Sequence, residues 1–242
     1  MMHGFSDANT RLARAAERIE ALRPCIKRAA ADRQASDALR IDLAEVVEHL
    51  NAALDYCAQE LYQHFGSPPK QGRPPRVYFP VVPPGGDFRS VLGKNIHGLM
   101  AARPDIARFI QDCQVSHCAD NQWLCDLRTL ATESKHAKLN VQDVRQRRAL
   151  RVGRPGILVP EGGSVTIENV SIGGHVIKGP EKIDVDHPPS DFDGPVDYVT
   201  QPILVWTLEG RHVEVIGFLL HTRNGVRRII DVLTRAVAGE QI

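Results

Sequence analysis

No stretch of this sequence approaches the roughly 18 apolar residues that a membrane-spanning helix needs. Its opening, MMHGFSDANTRLARAAERIEAL, holds no apolar run of the kind that begins a secretory leader. A soluble, cytoplasmic chain with no membrane partner is therefore expected. Charge of one sign is missing too. Thirty Lys and Arg against 29 Asp and Glu leave a formal net charge of +1, so any polyanionic partner must be held by a local patch rather than a global field. The phosphate-cradling glycine loop, the nucleophile elbow and the dinucleotide fingerprint are all absent. Their absence leaves most well-marked enzyme classes unsupported, and no cofactor is expected.

Metal-ligand spacing is absent as well. Cys113, His117, Cys118, Cys125 and His136 offer sulfur and nitrogen, but without a CxxC pair. The acidic loop EKIDVDHPPSDFDGPVD offers Asp184, Asp186, His187, Asp191, Asp193 and Asp197, but not at calcium-loop intervals. No metal is expected at either place. Five cysteines, an odd number without a leader, point to reduced thiols.

What is present divides in two. Hydrophobic content of 43% supports a full core. Ser6 or Asp7 can cap a first amphipathic helix with Leu12, Ala15, Ile19, Leu22 and Ile26 in register, which Pro24 should kink or divide. The basic residues on its outer face read as a solvated surface. Ser36 or Asp37 can cap a second helix carrying Leu43, Val46, Val47, Leu50, Leu54, Cys57 and Leu61, stopped by Gly66 and the prolines beyond. In it, His49, Asn51, Asp55 and Glu60 read as surface positions. RVYFPVV predicts an extended piece packed on helices, because prolines interrupt it. Helices from Asp87 or Ser90 and from Pro104 follow.

Beyond residue 140 the character changes to β-branched, alternating runs: GILVP, SVTIENVSI, HVIKG, KIDVD, YVTQPILVWTL and HVEVIGFLL, separated by glycine turns. TRNGVRRIIDVLTRAVAG reads as a closing helix packed on a sheet. The predicted fold is α+β. A helical bundle occupies 1–140, and a small antiparallel β-sheet with a C-terminal helix occupies 141–242.

Chemistry concentrates at WLCDLRTLATESKH, residues 123–136. Trp123, Leu127, Leu130, Ser134 and Ala137 form one stripe of a helix, widened by Leu124 and Ala131. On the polar side stand Arg128, Lys135 and His136. Arg128 can pair with a carboxylate such as Asp126 or Glu133, while Lys135 and His136 stabilise the carbonyl end of the helix. The run RQRRALRVGR adds Arg145, Arg147, Arg148, Arg151 and Arg154, whose forks match phosphate oxygens. As a strand it would put Arg145, Arg147 and Arg151 on one face and Arg148 and Arg154 on the other.

NAALDYCAQELY, YFPVV, RPDIARFIQDCQ and NQWLCDLRTLATESKHAKL succeed one another over roughly residues 40 to 140. This layout resembles that of bacterial proteins with an ALDxxAxxL helix, an FPI-like extended piece and a WLxxLxxL…KHxxL helix. Such proteins are similar to HEPN-type helical domains, whose active members are metal-independent ribonucleases using an arginine and a histidine. The resemblance implies Arg128 and His136 as that catalytic pair, with His136 as general acid or base and Arg128 holding phosphate. Lys135, Arg145, Arg147 and Arg148 are the expected substrate contacts. It also implies RNA as partner, a homodimer that unites two such pairs, and a role in stress or phage defence. The alternative expectation is a non-catalytic protein-interaction module in which the Arg/His cluster is structural.

Overall fold

A computed structural model describes residues 5–67, 76–136, 142–153, 156–172, 174–190, 192–208 and 210–240, without the side chains of residues 134–136, 142 and 178. Arg154 and Asp191 lie outside the described residues. The architecture is α+β.

Helix α1 (Ser6–Ala31) buries Ala8, Leu12, Ala15, Ile19, Leu22 and Ile26 along one stripe. It runs through Pro24 as one helix, so the proline does not divide it. Pro24 is exposed, so the carbonyl its ring leaves unbonded can be satisfied by water. Neither Ser6 nor Asp7 caps the helix. Ser6 is already its first residue, and Phe5 precedes it in the left-handed region at φ 61°. Helix α2 (Asp37–Phe65) does receive its expected cap, as the Ser36 hydroxyl accepts from the Leu39 N–H at 3.2 Å.

After α2, residues 76–83 run extended without entering a sheet. Helices α3 (Phe88–Asn95), α4 (Leu99–Ala102), α5 (Pro104–Asp112) and α6 (Gln122–His136) complete the first part. Asp87 caps α3 by accepting from the Arg89 N–H at 3.0 Å, and Pro104 opens α5, where a missing N–H costs nothing.

The β region forms two antiparallel sheets rather than the expected one. Strands β1 (Gln142–Gly153), β2 (Gly156–Pro160), β5 (Val196–Leu208) and β6 (Arg211–Glu214) order as β2-β1-β5-β6, and β3 (Ser164–Ile172) pairs with β4 (His175–Asp184). The run HVEVIGFLL also divides. Its strand ends at Glu214, and helix α7 (Val215–Val237) starts at once. Val215, Phe218, Leu219, Thr222 and Val226 are all buried, a helical interval that a short apolar run does not distinguish from a strand.

Helix α7 packs chiefly within the bundle, against α1, α2 and α6, and meets the sheet at β5. One large core therefore joins Leu12, Leu50, Leu54 and Leu127 of the bundle to Leu204, Trp206 and Leu208 of β5 and to Leu219, Ile230 and Leu233 of α7. A second, small core gathers Leu150, Val152, Val159, Ile167, Ile172, Ile177 and Ile183 between β1–β2 and the β3–β4 hairpin. The long strand β1 serves both, with Val144 against the first and Leu150 in the second.

Candidate functional site

Helix α6 turns Trp123, Leu124, Leu127, Leu130 and Ala131 inward as expected, all of them buried, while Ala137 and the Ser134 side chain lie outside those described. Trp123 lies so close to α7 that a side-chain carbon at Gly225 would collide with its ring. Arg128 leaves the opposite edge of that stripe toward α2. Its Nη2 donates to Asp55 Oδ1 at 2.9 Å and to the Phe79 carbonyl at 3.1 Å, while Nη1 stands 3.4 Å from Asp55 Oδ2. The guanidinium also lies 6.0 Å from the centre of the Tyr78 ring.

Asp55 is equally committed. It accepts from the Phe79 N–H at 3.0 Å and from Asn51 Nδ2 at 3.0 Å, besides the arginine. Both peptide groups of Phe79 are thereby bonded to side chains of two different helices. The next bonds along the segment come from Gln114, itself buried. Its Oε1 accepts from the Val82 N–H at 2.9 Å, and its Nε2 donates to the Pro80 and Ile110 carbonyls at 3.1 and 2.8 Å. Prolines deny residues 76–83 a strand partner, and side chains of α2, α6 and Gln114 supply the ladder instead.

This overturns the expected partner of Arg128. Asp126 faces elsewhere, where Arg211 Nη2 donates to it at 2.6 Å and Gln122 Nε2 at 3.0 Å. Two positions on a helix are separated by about 200°, so Asp126 and Arg128 leave opposite sides of α6. The reading of Asn51 and Asp55 as surface positions fails too, since Asn51 is buried and Asp55 half-buried beneath the extended segment. The side chains of Lys135 and His136 lie outside those described, and the last turn of α6 carries their backbone.

The remaining expected contacts are dispersed along β1. Arg145 pairs with Asp143 at 3.1 Å, Arg147 donates to Glu214 at 2.8 Å, and Arg148 lies 5.7 Å from the Tyr198 ring centre. The strand alternation separates Arg148 from the other two. Among the described residues, which leave out Asp191 and the His136 side chain, no group of three potential metal ligands meets. In the acidic loop, Asp184 is occupied by the N–H groups of Asp186 and His187 and by the His187 ring.

No protein-family model, curated protein or solved structure matches the chain.

Beside the Arg128–Asp55 pair, a groove of about 780 Å³ runs between α1 and α2. Arg11, Arg14 and Arg18 line one wall; His49, Tyr56 and Tyr78 line the other side, with Glu45 and Glu48 among them. Arg11 donates to His49 Nδ1 at 3.2 Å and lies 5.8 Å from the Tyr56 ring centre. Burial, and then the nearby Arg11 charge, lower the His49 pKa and favour its neutral, accepting form. Arg18 is paired with Glu45 and, at 3.5 Å, with Asp42. From the sequence this row reads as a solvated surface, and Arg14 is exposed, paired with Glu17 at 2.9 Å. Arg11, Arg14 and Arg18 nevertheless recur at helical spacing beside the buried stripe, opposite the histidine and tyrosine of α2.

Proposed function

We propose that the chain is a HEPN-like module that binds its partner without cleaving it. The observation that carries this reading is the occupation of Arg128. A phosphate-holding arginine needs a free fork, whereas this one is engaged by a carboxylate and a carbonyl that themselves hold the 76–83 segment. Pulling it toward a substrate would leave Asp55 half-buried and unpaired, a cost of about 3 kcal/mol or more. Arg128 is a clamp in this reading, not the free phosphate-holding arginine that the ribonuclease expectation requires.

The ligand proposed is single-stranded RNA along the α1–α2 groove. Arg11 and Arg14 there are held only by a neutral histidine and by the solvent-exposed Glu17, contacts weak enough to be exchanged for phosphate oxygens, and the tyrosine rings offer faces on which bases stack in a sequence-tolerant way. A second reading, a protein partner, is favoured by Glu45 and Glu48. Carboxylates interleaved with arginines suit a protein surface of both signs better than a polyanion.

The deciding experiment measures RNA binding and cleavage, without added metal and at two salt concentrations, for wild type, His136→Ala and the Arg11→Ala/Arg14→Ala double variant. The proposal expects salt-sensitive binding that survives in His136→Ala and is lost in the double variant, with no cleavage by any of them. Cleavage abolished by His136→Ala would restore the ribonuclease reading. Absence of salt-sensitive binding would leave the protein partner.

A further inference from the structure

A cleft of about 510 Å³ lies where the end of α1 meets β1, β5 and the start of α7, a size ordinary for a small-molecule site. Its apolar surface comes from both parts of the chain: Ile26 from α1, Ile203 and Leu204 from β5, Ile216 from α7. Charge gathers around it unevenly. Arg23, Lys27 and Arg147 all line the cleft, and Glu214 is the carboxylate among the lining residues.

Pairing them off leaves a remainder. Arg147 donates to Glu214 through Nη1 at 2.8 Å, and Arg23 lies 3.3 Å from Glu20, which stands outside the cleft. Lys27 is exposed and has no carboxylate partner among the described residues. Donors are in surplus as well. The Nε of Arg147, from β1, is buried without a hydrogen-bond partner among the described residues, whereas the Nε of Arg23 faces the Glu20 carboxylate. A native structure rarely leaves such a donor unmatched, and beside the unpaired Lys27 it marks a place short of acceptor oxygen.

We propose that this cleft binds a small amphipathic carboxylate, its head among Lys27, Arg23 and Arg147 and its tail over Ile26, Ile203 and Ile216. One uncompensated cation suits a monoanion better than a dianionic phosphate. The apolar lining takes the tail out of water, a gain that a free oxyanion would not make. Because the walls belong to α1, β1, β5 and α7, the bound molecule bridges the bundle and the sheet.

The test is calorimetric titration of the full chain with octanoate, octanol, octylamine and inorganic phosphate. Octanoate should bind saturably at one per chain, and octanol at least about tenfold more weakly, because charge-assisted hydrogen bonds contribute more than 1.4 kcal/mol. Octylamine and phosphate should not bind. Lys27→Ala should weaken octanoate about tenfold at unchanged thermal stability, since the side chain is exposed. Lys27→Glu should abolish binding. Equal affinity for octanoate and octanol, saturable binding of phosphate alone, no octanoate binding, or full affinity in Lys27→Glu would each overturn the proposal.

Discussion

Asp55 and Arg128 stand 73 residues apart in sequence and meet in an ion pair of 2.9 Å that encloses the Phe79 peptide. The pair is partly buried and both partners also bond the backbone, so it joins α2, α6 and the extended segment in one unit. Arg128→Ala should lower unfolding stability by about 3 kcal/mol, because it leaves Asp55 and the Phe79 carbonyl short of a donor. Arg128→Lys should recover little, as a single ammonium cannot reproduce the fork. Urea unfolding of Asp55→Asn, Arg128→Ala and the double variant gives the coupling; additive losses would show that the two act separately.

Gln114 extends the same ladder. Gln114→Ala leaves the Val82 N–H and the Pro80 carbonyl without their side-chain partners in a buried site, and should cost about 2 kcal/mol. Gln114→Glu removes the donor to Pro80 and Ile110 while keeping an acceptor for Val82. Its unfolding midpoint should fall further as pH rises and the buried carboxyl ionises.

Much of the helical part was legible because its signal is local. Leu43, Val46, Val47, Leu50, Leu54, Cys57 and Leu61 recur at helical spacing, and all are buried in α2. Ser36 caps where a serine before an apolar run should. The change to β structure after residue 140 was equally readable. The boundary at Glu214 was not, since Val213 and Val215 fit a strand as well as a helix start, and only packing against α1 and α2 decides. The site was least legible. Nothing local marks Asp55 as the partner of Arg128, because the contact depends on how α2 and α6 cross.

His49 gives a pH signature. Its pKa is lowered from 6.5 in the folded state, so below that value the unfolded chain takes up a proton more readily than the folded one. Stability should therefore fall as pH drops below 6.5, in addition to any carboxylate effects. In His49→Gln this component should vanish. Thermal midpoints at neutral and mildly acid pH compare the two, and a proton titration of the His49 ring should place its midpoint below the ordinary histidine value.

Thiol reactivity should divide the cysteines. Burial pushes the Cys113 thiol up to about 12 and that of Cys57 higher still, whereas Cys25 and Cys118 are exposed. A disulfide reagent at neutral pH should label Cys25 and Cys118 promptly, and Cys57 only on unfolding. Rapid labelling of Cys57 would mean that the α2 core opens readily.

Gly225 has no room to grow. Gly225→Ala should destabilise despite the better helix propensity of alanine, because its methyl group meets the Trp123 ring; about 1–3 kcal/mol is typical of overpacking. Trp123→Leu in the same background should return part of the loss. Stabilisation by Gly225→Ala alone would mean that α6 and α7 are not held together at this point.

The chain that adds edge strand β2 and the β3–β4 hairpin with its small core leaves the β1–β5 pair and returns to it at neighbouring points, for Val152 on β1 faces Val196 on β5. The excursion between them is thus a graft on a hairpin that is already continuous without it. Such a junction allows trading of parts: one β1–β5 stem can carry an enlarged, exchanged or replaced insert while the helices below keep their contacts. Evolutionary divergence in relatives of this chain should collect there, and a reporter domain spliced between those two strand ends would ride on the protein without crossing its larger core.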